Sequence, residues 1–140
     1  METAYERFEV PLKIQSEDID VLGHVNNVVY LRWVQEAAIA HWTAAATEEE
    51  QRTLIWVVVR HEIDYKRAAL AGDDILAHTW VGRAGRRAFD RHTEILRVAD
   101  GKVLAAARTV WCPLDPETFR PTDVSEAVRA RFSVPDGREA

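Results

Sequence analysis

The sequence predicts an α+β fold in which one long helix packs against a mostly antiparallel sheet. Three observations lead there: a period-two segment near the start, a single uninterrupted stretch at helical spacing, and then sixty residues of β-branched and aromatic runs separated by short turns. At 140 residues, with 47% hydrophobic and 29% charged residues, the chain is expected to form one folded domain over 1–140 with a core of its own.

The first element spans Phe8 to Ile14. Phe8, Val10, Leu12 and Ile14 alternate with mostly charged or polar residues, the pattern of a half-buried strand. Pro11 has no amide hydrogen to give a neighbour, so this strand belongs at an edge or carries a bulge. Ser16 to Asn27 is rich in turn formers and contains Gly23. From Val28 the period changes: Tyr30, Val34, Ala37, Ala38 and His41 recur on one helical face, and Val29, Trp33 and Trp42 widen it. Neither Gly nor Pro interrupts Val28 to Thr47, which reads as one helix capped by Asn26 or Asn27. So wide an apolar surface predicts a helix covered on more than one side, and hence a dimer.

Strands follow at Leu54–Val59, Ile75–Val81, Ala88–Val98 and Val103–Trp111, punctuated by Gly72-Asp73, Gly82 to Gly85 and Asp100-Gly101. Asp100-Gly101 between alternating strands is a hairpin signal. Asp123 to Phe132 reads as a short last helix and Ser133 to Ala140 as a frayed tail.

Eighteen Lys and Arg against 23 Asp and Glu leave a net charge of -5, which argues against a general nucleic-acid binder. The longest strongly apolar run, Leu54 to Val59, is too short to span a bilayer, and Met1 to Arg7 has no basic leader before an apolar stretch. No membrane partner is expected, and a cytoplasmic location is. The single cysteine, Cys112, excludes an internal disulfide framework and reads as an inert thiol at a strand end. His61, His78 and His92 fall on separate strands with no metal-ligand spacing, so no metal is expected.

The stretch that carries chemistry runs from Glu17 to Tyr30. Asp18, Asp20, Gly23, His24, Asn26 and Asn27 all precede the helix. The first turn of a helix leaves amide N–H groups unpaired, and these carry a partial positive charge. A carbonyl docked there is polarised as negative charge grows on its oxygen. A nearby carboxylate then attacks it or takes a proton from an attacking water. Gly23 permits close approach of the backbone to a ligand. The same residues also suit a plain capped turn, with Asp20 closing the loop and Asn27 as the cap.

The string Asp18-Ile19-Asp20-Val21-Leu22-Gly23-His24-Val25-Asn26-Asn27-x-x-Tyr30, followed by Glu36-Ala37-Ala38, resembles the signature of the 4-hydroxybenzoyl-CoA thioesterase-like family of hotdog fold. Ile63 to Ala68, Gly72-Asp73, the strands through Trp111 and Arg120-Pro121 extend the likeness over Val10 to Pro121. The resemblance implies a long helix wrapped by an antiparallel sheet, two protomers joined as a homodimer or homotetramer with active sites at their interface, and metal-independent, cofactor-free hydrolysis of acyl-coenzyme A thioesters. It places the catalytic carboxylate at Asp20, as nucleophile or general base, with Asp18 the weaker candidate. Oxyanion donors fall on the Val25, Asn26 and Asn27 backbone, with Asn27 facing the carbonyl, and His24 lines the site. Gly23 and Tyr30 border the substrate, and Trp33 and Glu36 read as packing or interface residues. Arg83, Arg86 and Arg87 form a basic patch, matched to family positions near the coenzyme A entrance, whose guanidiniums suit phosphate. Ala88 is expected on the central strand near the pocket. The competing function is a non-catalytic acyl-coenzyme A or acyl-group binding module on the same fold; a dehydratase finds no matching acid–His constellation.

Overall fold

The computed structural model describes residues 7–133. Five strands, β1 (Phe8–Leu12), β2 (Ile55–Tyr65), β3 (Ile75–Ala84), β4 (Phe89–Arg97) and β5 (Val103–Leu114), form one sheet in the order β1-β3-β4-β5-β2, antiparallel throughout. The long helix α1 (Asn27–Ala45) crosses one face, a six-residue helix α2 (Glu48–Thr53) follows it, and α3 (Glu126–Phe132) packs at the end of β3. This is the hotdog arrangement of one helix and a five-stranded wrap. None of the described helices is long and apolar enough to cross a membrane.

Local chemistry explains most boundaries. β1 is an edge strand, as Pro11 requires, and Pro11 lies opposite Leu76. Asn26 caps α1, its side chain accepting from the Val28 amide at 3.2 Å. Gly101, at φ +70°, turns the β4–β5 hairpin at the Asp-Gly signal. Three expectations are corrected. The helix ends at Ala45, because Thr47 caps α2 in a reciprocal pairing with Glu50. The second strand continues past Val59, where a bulge shifts its register, as far as Tyr65. The β3–β4 turn lies at Gly85–Ala88 rather than from Gly82, so Ala88 is an exposed turn residue and not part of the central strand. Of the expected frayed tail, only Ser133 is described, bridged to Val81; residues 134–140, like the leader region 1–6, lie outside the described residues.

The core has two apolar ends. Toward the start of α1, Val29, Tyr30, Trp33 and Ala37 pack on Ile75, Ala77, Ile95 and Leu104. Toward its end, Trp42 joins Val81, Phe89, Val128 and Phe132. Between them the sheet's inward face turns polar, with Thr79, Arg91, Thr93 and Thr109 all buried. Among the described residues the helix is left partly uncovered, since Val28 and Ile39 remain exposed. β2 is the other sheet edge, and Val57 and Val59 along it are also exposed.

Candidate active site

The loop before α1 is held by backbone bonds at nearly every step. The Asp20 amide donates to the His24 carbonyl (2.8 Å) and the Gly23 amide to the Asp20 carbonyl (3.0 Å). Asp20 Oδ1 accepts from the Leu22 and His24 amides at 2.9 and 3.1 Å. This carboxylate therefore closes its own turn through one oxygen. Its Oδ2 accepts no hydrogen bond among the described residues, and the side chain is half-buried. Gly23 is needed for its positive φ of +80°. A Cβ there would meet nothing within 4 Å, so the residue serves the turn rather than a close approach.

The amides that follow are not equivalent. Val25 donates to the Ala69 carbonyl (2.8 Å) and Asn26 to the Asp18 carbonyl (2.8 Å). Both are engaged in structure, and Val25 is a buried core residue. The Val28 amide is held by the cap and the Val29 amide bonds the Asn26 carbonyl (2.9 Å). That leaves the Asn27 N–H, which has no acceptor among the described residues and stands at the positive end of a 19-residue helix. The expected donor set of Val25 to Asn27 reduces to Asn27. The imidazole of His24, in this loop, and the carboxamide of Asn27, the first residue of α1, also form no hydrogen bond among the described residues.

Two neighbours fasten the site. Tyr65, at the end of β2, donates its hydroxyl to the Asn27 carbonyl at 3.2 Å. Tyr30, expected at the substrate, is 1% exposed and accepts from the Ala69 amide at 2.9 Å. Its ring packs edge-on against Trp33 and Tyr65. It is thus a core residue that holds the 66–74 segment against the helix.

Asp18, read as a loop carboxylate of minor catalytic weight, is buried. Arg32 from the second turn of α1 grips both its oxygens at 3.0 and 2.9 Å, and the Gln15 amide adds a third bond at 2.9 Å. The Arg32 hydrogen bonds hold its carboxyl below the ordinary range, against the opposing effect of burial. Arg32 also reaches Glu36 at 3.2 Å, so the mid-helix Glu is an exposed ion-pair partner rather than a buried charge.

The basic patch is not part of this cluster within one chain. Arg86 and Arg87 lie in the β3–β4 turn and share Asp123, at 3.5 and 2.6 Å; Arg83 is exposed at the end of β3. That turn sits beside the last residues of α1: the Val124 amide donates to the Arg86 carbonyl, Arg129 to the Ala84 carbonyl, and Arg131 to the carbonyl of Ala45. Asp20 and Asn27 lie at the other end of α1, and a 19-residue helix is about 28 Å long.

Sequence reading did not locate a cavity that the structure shows. It encloses about 510 Å³ between the second half of α1 and the first half of β2, with Trp42, Trp56, Trp111 and Phe89 in its walls and Arg91 at its edge. The signal for Arg91 was its strand parity, since it points the same way as Phe89, Thr93 and Ile95. Among the described residues no three His, Cys, Asp or Glu side chains cluster as metal ligands. His61 faces inward and bonds Thr109 (3.0 Å), whereas the registers of His78 and His92 place them on the opposite face.

Comparison with known proteins gives a consistent picture. A thioesterase from Thermus thermophilus, solved with coenzyme A and Zn, is 30% identical to this chain and superposes with a TM-score of 0.74, covering 89% of this chain and 90% of that one. A predicted thioesterase from Bacillus stearothermophilus, 20% identical, shares the fold with a TM-score of 0.78, covering 94% and 99%. A palmitoyl-acyl carrier protein thioesterase of Gossypium hirsutum is 28% identical in an alignment that covers 89% of this chain and 32% of that protein. The chain spans no more than about a third of the length of the curated plant relatives it matches. A family model described as the thioesterase-like superfamily matches residues 14–132, and on that match the chain belongs to the thioesterase-like superfamily.

Proposed function

We propose that this protein hydrolyses acyl-coenzyme A thioesters to the free acid and coenzyme A, with Asp20 as the reacting carboxylate and the Asn27 amide as oxyanion donor. The observation that carries this reading is that the segment opening α1 leaves one Asp20 oxygen and the Asn27 backbone amide without partners among the described residues. One oxygen of Asp20 anchors the turn, leaving the other to attack the thioester carbonyl or to take a proton from water. The Asn27 amide at the mouth of α1, unbonded among the described residues, supplies a hydrogen bond that strengthens as the carbonyl oxygen gains charge. His24 lines the same loop. The coenzyme A bound by the Thermus thermophilus relative favours that carrier, and the plant relatives make acyl carrier protein the competing one.

A second copy completes the site in this reading. β2 is an eleven-residue edge with exposed Val57 and Val59, a template for pairing with another chain. Antiparallel pairing of two β2 edges about a two-fold axis lays the Tyr65 end of one beside the Ile55 end of the other. The Asp20 loop, tied to Tyr65 through Asn27, then meets the partner at the end carrying the cavity and the β3–β4 turn. Arg83, Arg86 and Arg87 of that second copy are assigned to the coenzyme A phosphates, and Ile39 and Val28 are covered.

The two amide hydrogen bonds to Oδ1 of Asp20 are also what a purely turn-closing residue would form, and they favour the alternative of a non-catalytic acyl-group binding module. Asp20→Asn separates the two readings, because an Asn oxygen still accepts from Leu22 and His24 while the charge is lost. Thiol release from a panel of acyl-coenzyme A thioesters, followed with a chromogenic disulfide, is expected to fall by about 10²–10⁴-fold in the variant. Turnover within a few-fold of the parent would remove Asp20 from the chemistry, and absence of thiol release from the parent itself would favour the binding module.

A further inference from the structure

The polar layer across the middle of the sheet holds a buried cation with no anion. Arg91 is 4% exposed. Its Nη1 donates to His41 Nδ1 at 2.9 Å and to Thr79 Oγ1 at 3.0 Å. Both partners are neutral. A guanidinium has no acceptor, so His41 accepts through an unprotonated Nδ1; burial, with the Arg91 charge beside it, pushes that imidazole down to about 3. Thr79 in turn bonds Thr93 (3.1 Å) and the His92 carbonyl (2.9 Å). Arg32, Arg97, Arg108 and Arg131 each reach a carboxylate, but Arg91 pairs with none among the described residues. Its Nε and Nη2 donate to nothing there. Burial lowers this guanidinium to about 9, which leaves it charged at neutral pH.

Arg91 lines the cavity between α1 and β2. Trp56 and Trp111 line the same walls, but their indole N–H groups are buried without acceptors and closed to solvent, so they offer the cavity no donor. Gln35 is the one lining side chain that offers an acceptor, and it is exposed. An apolar acyl chain filling this space would leave the Arg91 charge without a counter-ion and give nothing back. An acceptor-bearing chain would satisfy it. The free Nε/Nη2 edge of a guanidinium matches the two oxygens of a carboxylate in a side-on bidentate pair.

We propose that this cavity receives an acyl group whose far end carries a carboxylate, bound by Arg91, so that the substrates are thioesters of dicarboxylic acids. The proposal rests on the thioesterase reading above and specifies its acyl pocket. The apolar walls contact the methylene chain, Arg91 takes the distal carboxylate, and the thioester end lies toward the Asp20 loop of the second copy.

The test pairs neutral and ω-carboxylated coenzyme A thioesters of equal length from four to ten carbons, such as hexanoyl with adipoyl, on the intact protein and on Arg91→Lys and Arg91→Met. A parallel titration follows intrinsic tryptophan fluorescence with free adipate and free hexanoate, since Trp42, Trp56 and Trp111 line the cavity. The parent is expected to favour the carboxylated thioester in kcat/KM by at least about tenfold at its best length. Arg91→Lys should retain part of that ratio, and Arg91→Met should invert it. If Arg91→Met fails to fold, the partial ratio of Arg91→Lys and the adipate titration of the parent decide independently. Preference for the neutral thioester, or none, at every length overturns the dicarboxylate assignment and leaves hydrolysis standing. If no thioester is cleaved but adipate, and not hexanoate, changes the fluorescence, the Arg91 site stands and the hydrolase reading falls. An equal response to the two free acids overturns the site.

Discussion

Replacing Asp18 by Asn tests whether the loop that presents Asp20 is held from below. Asp18 is 2% exposed and receives three hydrogen bonds, two of them from Arg32. Asn keeps the shape but turns one acceptor into a donor, facing a guanidinium that only donates. Breaking a wholly buried pair costs about 3–5 kcal/mol. Here the Arg32 side chain is 39% exposed and keeps Glu36, so water screens the orphaned cation. The expected loss is therefore smaller, about 1–3 kcal/mol, in line with one charge-assisted hydrogen bond. Urea unfolding followed by tryptophan fluorescence measures it at neutral pH and then at falling pH. The folded carboxyl lies below its ordinary 3.8, so in that window the unfolded chain binds the extra proton and stability rises with pH. The gap between parent and variant is constant above about pH 5, narrows below 3.8, and closes once the pH has passed the folded value. A gap under about 0.5 kcal/mol at neutral pH, or one that does not narrow in acid, refutes the reasoning. The backbone bond from the Asn26 amide to the Asp18 carbonyl survives the change, so turnover should fall far less than in Asp20→Asn.

Two other groups give pH-dependent readouts. Glu50 is held at about 2, chiefly by its hydrogen bonds to Arg131 and then by the Thr47 amide, so its contribution is complete above 4.5 and is lost as the pH falls toward about 2. Glu50→Gln should cost about 1 kcal/mol, kept small by the solvent that reaches Arg131, and should speed amide exchange in α3; exchange unchanged from the parent would count against this tie between α2 and α3. His41 should remain neutral through the whole physiological range, with its imidazole NMR shifts flat down to about pH 4, whereas a midpoint near 6.5 would mean that Arg91 is not where the structure puts it.

What the sequence made legible is what short-range chemistry decides. Alternation located the strands, Pro11 marked an edge, Asp100-Gly101 marked the hairpin, and Asn26 was one of two caps named for the helix. The second helix, Glu48–Thr53, has no apolar periodicity to betray it, although Thr47 and Glu50 are spaced as a capping box. The burial of Asp18 depends on Arg32, fourteen residues away, and a loop carboxylate with a distant partner looks like any other loop carboxylate. The same limit governs the amides of the candidate site. Val25, Asn26 and Asn27 are alike as sequence; only the partners at Ala69 and Asp18 remove two of them and leave the third.

Arg91 shows where local pattern and tertiary environment divide most sharply. Its position in the alternation of β4, between Phe89 and Thr93, already assigns it to the buried face. An inward arginine on a strand predicts a counter-charge, and the chain has 23 carboxylate side chains from which to supply one. None of those described is used. The carboxylates that pair with arginine lie in the loops, on the helices and on the outward face of the sheet, while the layer around Arg91 contains hydroxyls, a neutral imidazole and indoles. Structural support alone does not require a full positive charge in that layer, because a neutral donor would bond His41 and Thr79 as well. A charge left unpaired at the edge of a cavity makes physical sense when its anion arrives with the ligand, and a guanidinium with two unbonded donors on one edge suits two oxygens rather than one.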